Sequence, residues 1–178
     1  MIGLLRLVGV MNVAVWFGAA VFLTFFVAPT VFSPDLKRHL GEVWQGFIAT
    51  RLLERYFLVQ YFCSIIALVH AFAEWIYVGK PLHRPTMIVL TTITIFVFAG
   101  GLWLQPKAKL LHEVKYGYGR GVNTPVEQRE QAAKSFDVMH GVANTLNLVA
   151  VLGLAFYVWR LTALPNGPRF TPTSKFRS

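Results

Sequence analysis

TPVEQREQAAKSFDVMHGVANTLNLVAVLGLAFYVW, residues 124–159, reads as one helix that begins in water and ends across a membrane. Thr124 supplies a hydroxyl at the N-cap. Pro125 takes the first helical position, where its missing N–H has no partner to lose, and Glu127 puts a carboxylate in the first turn. Up to Asp137 the residues are mostly charged or amide, and from Val138 to Trp159 no formal charge occurs for 22 residues. At about 1.5 Å of rise per residue, such a run crosses a hydrocarbon core of roughly 30 Å. His140, Asn144 and Asn147 are its strongly polar residues, and they share one helical face. Hydrocarbon offers that face no hydrogen bonds, so it is expected to point at protein.

Composition leads to the same class. With 178 residues, 55% of them hydrophobic and 14% charged, the chain reads as a single polytopic membrane domain. The formal charge of +9 lies almost wholly outside the apolar runs. Lysine and arginine there gain on the order of 1 kcal/mol each from anionic headgroups, so membrane lipids are expected partners. Nucleic acid is not, because no basic and aromatic surface module accompanies the charge. Cys63 is the single cysteine, which excludes an intrachain disulfide and a thiolate metal cage.

The resulting fold class is an all-α membrane protein: a four-transmembrane-helix bundle with an interfacial amphipathic helix between spans 1 and 2, and a long final helix. The four-helix domain is expected over 1–163, with spans at about 7–30, 56–78, 86–105 and 138–160. Pro29 predicts a kink or an early end to the first span, which is read as retained rather than as a cleaved signal. Ser33-Pro34-Asp35 repeats the cap-plus-proline pattern and opens the interfacial helix. There Leu36, Leu40, Val43, Trp44, Phe47 and Ile48 fall on one side and Lys37, Arg38, Glu42 and Gln45 on the other. In the second span, Gln60, Cys63, Ala67, His70 and Glu74 form one small and polar stripe. Glu74 is expected near the membrane exit, facing the bundle or paired with His70 one turn away. Residues 106–123 read as a basic, glycine-rich surface loop, and 164–178 as an extended basic proline-rich tail.

Several residues carry the functional expectations. The buried polar candidates for a cofactor are His70, Glu74, His140, Asn144 and Asn147. His39, His112 and His140 are the candidate metal ligands, because all three emerge at similar depth on the loop side. His70 and His140 are separated by roughly 18 Å of depth at 1.5 Å per residue, too far to share one ion. In the tail, Arg169, Phe170, Lys175, Phe176 and Arg177 alternate charge with aromatic surface and are expected to bind a partner chain. Four spans put both termini on one side. Ten of the 17 lysines and arginines fall on the other, which predicts cytoplasmic loops 1–2 and 3–4 in a prokaryotic inner membrane.

Trp16-Phe17-Gly18, Val27-Ala28-Pro29 with Phe32, Arg55-Tyr56-Phe57, and Phe136, His140 and Asn147 together resemble an uncharacterised four-helix membrane family that includes transmembrane protein 205 homologues. The likeness covers about 4–160. More distantly, the first helix is similar to copper resistance D-type membrane proteins and to J-type protoporphyrinogen oxidase, and those relatives imply copper or haem. The J-type pattern carries a histidine in its first helix, where the nearest polar residue here is Asn12. The expected function is a non-catalytic accessory or assembly subunit of a larger membrane protein complex. The alternative is a haem- or copper-binding transport or redox protein. No nucleophile-base pair marks an enzyme.

Overall fold

The computed structural model describes residues 2–79 and 83–162. Four helices in it, Gly3–Val31, Pro34–Tyr77, Arg84–Tyr116 and Val126–Thr162, are each long and apolar enough to cross a membrane. They close into a ring in which the first packs on the second and fourth, and the third packs on the same two. Val13, Trp16, Ala20, Cys63, Ala67, Leu90, Ile93, Val97, Val151, Leu154 and Tyr157 fill the centre, so every helix contributes. Phe62, Leu102, Leu152 and many other large apolar side chains lie on the outside. Lipid, as apolar as these side chains, is the solvent that accommodates such a surface.

Polar bonds stitch the first helix to the second. His70 Nε2 lies 3.0 Å from the Leu5 carbonyl, Asn12 Nδ2 donates to the Cys63 carbonyl at 2.9 Å, and the Trp16 indole N–H donates to Gln60 Oε1. Each step up one helix is matched by a step down the other, which makes the pair antiparallel and fixes its register. The small-and-polar stripe of the sequence is this seam. Gly9 sits against the His70 imidazole, where any Cβ would collide with the ring. Bonds of this kind between membrane helices contribute about 0.6–2 kcal/mol each, and a slip in register would forfeit them together.

Pro29 and Pro106 do not end their helices. A turn of π-helix, Leu23–Val27, precedes the first proline, and Gly100–Leu104 precedes the second. In each, the residue before the proline bonds one residue further back than usual: Ala28 N–H to Leu23 O and Gln105 N–H to Gly100 O. A proline ring collides with the carbonyl four residues earlier, and a widened turn moves that carbonyl aside. The first helix therefore continues to Val31. The third runs on to Tyr116, well beyond its apolar portion.

Three boundaries differ from the sequence reading. The segment expected as a separate interfacial helix divides at Gly41, whose φ of 75° only glycine adopts readily. Before it lies a short helix capped by the Ser33 hydroxyl, which accepts from Leu36 N–H at 3.3 Å. After it, the helix runs unbroken into the second span. The expected loop 106–123 is mostly helix, Gln105–Tyr116, closed by Gly117 at φ 66°. Tyr118 N–H bonds back to Glu113 O and Gly117 N–H to Val114 O, so the glycine-rich stretch is a helix stop rather than a long surface loop.

The start of the fourth helix is held differently from the expected cap. Thr124 acts through its main chain: its N–H donates to Gly121 O at 3.2 Å, and its carbonyl accepts from Arg129 Nε at 3.0 Å. The helix itself is continuous over Val126–Thr162, 37 residues or roughly 55 Å. It exceeds a hydrocarbon core by several turns, and those turns form the loop-side platform. Arg169, Phe170, Lys175, Phe176 and Arg177 of the expected partner-binding tail lie outside the described residues.

Candidate functional site

At the end of the bundle where the first helix begins and the fourth ends, a cleft of about 330 Å³ opens between the second, third and fourth helices. His70, Glu74, Trp75, His83, Tyr157 and Arg160 line it. His70 and Tyr157 are only 3% exposed, which makes the inner wall rigid. The Leu5 carbonyl can only accept, so His70 Nε2 carries a proton, and in the neutral ring Nδ1 presents a lone pair. Among the described residues that Nδ1 has no partner, and neither does Arg160 Nε. Of the alternatives for Glu74, the pair with His70 is not made, because the imidazole turns to the first helix, and the carboxylate lies in the cleft near the end of its helix.

The opposite end is a densely packed aromatic and ionic platform. His112, 4% exposed, sits on Gly46 of the second helix, with its Nδ1 2.7 Å from the Tyr118 hydroxyl. Tyr116, Tyr118 and Phe136 surround it at ring separations of 4.6, 5.7 and 5.7 Å. The Tyr116 hydroxyl donates to Glu42 at 2.8 Å, and Glu42 also pairs with Lys37. Lys115 lies over the Tyr116 and Phe136 rings and 3.5 Å from Asp137. Three helices are thereby clamped together just outside the membrane. The Lys37 and Tyr116 hydrogen bonds hold the Glu42 carboxyl below its ordinary range.

Burial, helped by the positive charge of Lys115, pushes the His112 imidazole below its ordinary value of 6.5. The folded state therefore takes up a proton at His112 less readily than the unfolded chain. The stability this neutral histidine contributes is present above about pH 6.5 and is lost as the pH falls towards the folded value. Amide protection over 112–121, read by hydrogen exchange, is expected to drop between pH 7 and pH 5 in the wild type and to stay level in His112→Gln. The same pH dependence in both proteins would contradict this role.

The fourth-helix polar face splits in two. Asn147 turns inward: its Nδ2 donates to Thr24 Oγ1 at 2.7 Å, and its Oδ1 lies 3.5 Å from the Tyr56 hydroxyl. His140 and Asn144, expected as buried polar residues, are exposed instead. His140 stacks on Phe136 and meets the edge of Phe32, both at 6.0 Å. Beside Asn144, Gly141 faces open space, and Thr145 bonds back to the Gly141 carbonyl at 3.0 Å. Phe136 stands between His112 and His140, and His39 is exposed on the short helix before Gly41. The structure does not gather these three histidines. Among the described residues, no three His, Cys, Asp or Glu side chains form a group able to hold a metal ion.

A family model described as a domain of unknown function, DUF4149, matches residues 11–116, more than half of the chain. The chain belongs to the DUF4149 family. The matched region of DUF4149 takes in Asn12, Trp16, Gln60 and Cys63 of the first seam, His70 and Glu74 of the cleft, and His112 of the platform. It stops before the fourth helix, so Asn144, Tyr157 and Arg160 lie beyond it. No curated protein and no solved structure matches the chain.

Sequence reasoning missed Arg160 and Tyr157 as site residues because each reads as an ordinary span-end residue. Lys115, Tyr116 and Tyr118 were hidden by Pro106, which suggests a loop. A signal was available in Leu104, Leu111 and Val114, whose spacing of seven and three keeps one helical face through the proline.

Proposed function

We propose that this DUF4149 chain is a non-catalytic accessory or assembly subunit of a larger membrane protein complex. The exposed His140–Gly141–Asn144 face of the fourth helix carries this reading. An amide facing hydrocarbon without a partner is unfavourable by several kcal/mol, and a glycine beside it lets another helix approach closely. The partner is a transmembrane helix with a polar side chain at matching depth. Native electrophoresis of gently solubilised membranes is expected to show the chain migrating with other subunits, far above its own 20.1 kDa. Asn144→Leu is expected to shift most of it to the free form. Migration of the wild type at its own mass would contradict the proposal.

The narrower likeness to transmembrane protein 205 homologues belongs to this reading and rests on the Trp16-Phe17-Gly18 and Arg55-Tyr56-Phe57 motifs. In the same reading, the platform end is cytoplasmic in a prokaryotic inner membrane, supported by the ten lysines and arginines on that side. A His39→Cys chain with Cys63→Ala is expected to resist a membrane-impermeant thiol reagent in intact cells and to react after permeabilisation. Reaction in intact cells would reverse the orientation.

A further inference from the structure

We infer that the cleft between the second, third and fourth helices binds the headgroup of a phospholipid bearing a primary ammonium. The second helix stops at Gly79, the third begins at Arg84 and the fourth ends at Thr162, so the cleft opens where the spans leave the hydrocarbon. Trp75 and Trp159, 48% and 61% exposed, stand at this end, as aromatic residues do at headgroup depth. The cleft's 330 Å³ falls in the range of small-ligand sites.

Its chemistry is of mixed sign. Arg160 Nε is a cationic donor with no partner among the described residues, which calls for an anionic acceptor. In the neutral ring His70 Nδ1 is a deeply buried acceptor that has no partner among the described residues, and the Glu74 carboxylate beside it also only accepts. A lone anion would satisfy Arg160, but it would repel Glu74 and bring no proton to His70. A lone metal cation would suit His70 and Glu74, but it would be repelled by the Arg160 guanidinium. A phosphodiester joined to a primary ammonium serves all three: the phosphate meets Arg160, and the ammonium N–H groups meet Glu74 and His70 Nδ1. A choline headgroup has the same charges but no N–H to donate, so the site discriminates against it. The lipid's acyl chains would lie along the exposed apolar side chains of the spans, such as Phe72 and Val69.

Native mass spectrometry of the full chain in a mild detergent tests this directly, with phosphatidylethanolamine, phosphatidylcholine and phosphatidylglycerol offered at equal concentration. Phosphatidylethanolamine is expected to be retained about tenfold more than either of the others, the factor that one lost charge-assisted hydrogen bond gives. Water-soluble glycerophosphoethanolamine at the same concentration is expected not to displace it. Displacement would assign the site to a free ester rather than a membrane lipid and overturn the proposal. Glu74→Gln and Arg160→Gln should each lower retention about tenfold. If either variant fails to fold, the headgroup preference of the wild type still decides. Equal retention of the three lipids would overturn the inference. So would a stoichiometric divalent metal that disappears in His70→Gln.

Discussion

Trp16→Ala is expected to destabilise the bundle by about 3–5 kcal/mol, the range for removing a fully buried aromatic side chain. Trp16 is 0% exposed and lies in the core formed by all four helices. Alanine leaves a cavity there and strands Gln60, whose Nε2 already has no partner among the described residues. Trp16→Phe separates the two effects, because it fills much of the space but gives up the bond to Gln60 Oε1. Its expected cost is about 1–3 kcal/mol, the penalty of an unsatisfied buried group. Adding Gln60→Leu should recover part of that loss, since an apolar pair asks for no bond. Denaturant unfolding in mixed micelles, followed by circular dichroism, provides the measurement. A Trp16→Ala protein within about 1 kcal/mol of the wild type would refute this account of the core.

Gly9→Ala is the second large effect. A Cβ at this position meets the His70 ring, with Cδ2 only 2.8 Å away, and the ring is pinned by its bond to Leu5. The helices must separate, at a cost of about 1–3 kcal/mol for overpacking, and the His70–Leu5 bond is lost with the movement. Gly18 provides the control, because nothing lies within 4 Å of a Cβ built there. Gly18→Ala should be neutral or slightly stabilising, given alanine's better helix propensity. Pairing Gly9→Ala with His70→Ala removes the collision and should restore part of the stability. Indistinguishable unfolding of Gly9→Ala and Gly18→Ala would show that the close approach at Gly9 does not matter.

The class of fold was legible because length and hydrophobicity constrain a membrane chain severely. Runs long enough to span must be helices, and the charged segments must sit outside. The second-span stripe was legible for the same reason, since Gln60, Cys63 and His70 repeat at helical spacing and lipid rejects them. The partners of that stripe were not. Periodicity states which face is buried but not which neighbour meets it, so nothing in the spacing points from His70 to the distant Leu5 carbonyl. The prolines misled in a consistent way. At Pro29 and Pro106 the usual rule predicts a stop or kink, but a π turn accommodated each ring, and those turns have no clear residue signature. Thr124 meets this end of the helix through its main chain, its carbonyl accepting from Arg129 Nε one turn inside. The cleft was the least legible feature, since it joins His70, Glu74 and Arg160 from two helices that are far apart in the chain.

Site-specific photocrosslinking in native membranes tests the central claim most directly. A photoreactive residue at position 144 reports what covers the polar face of the fourth helix, and one at Phe62, 68% exposed on the second helix, reports a lipid-facing surface. The account predicts a discrete crosslink from 144 to a different membrane protein and none from 62. Crosslinks from 144 to lipid alone, or only to a second copy of this chain, would contradict a role as a subunit of a larger complex.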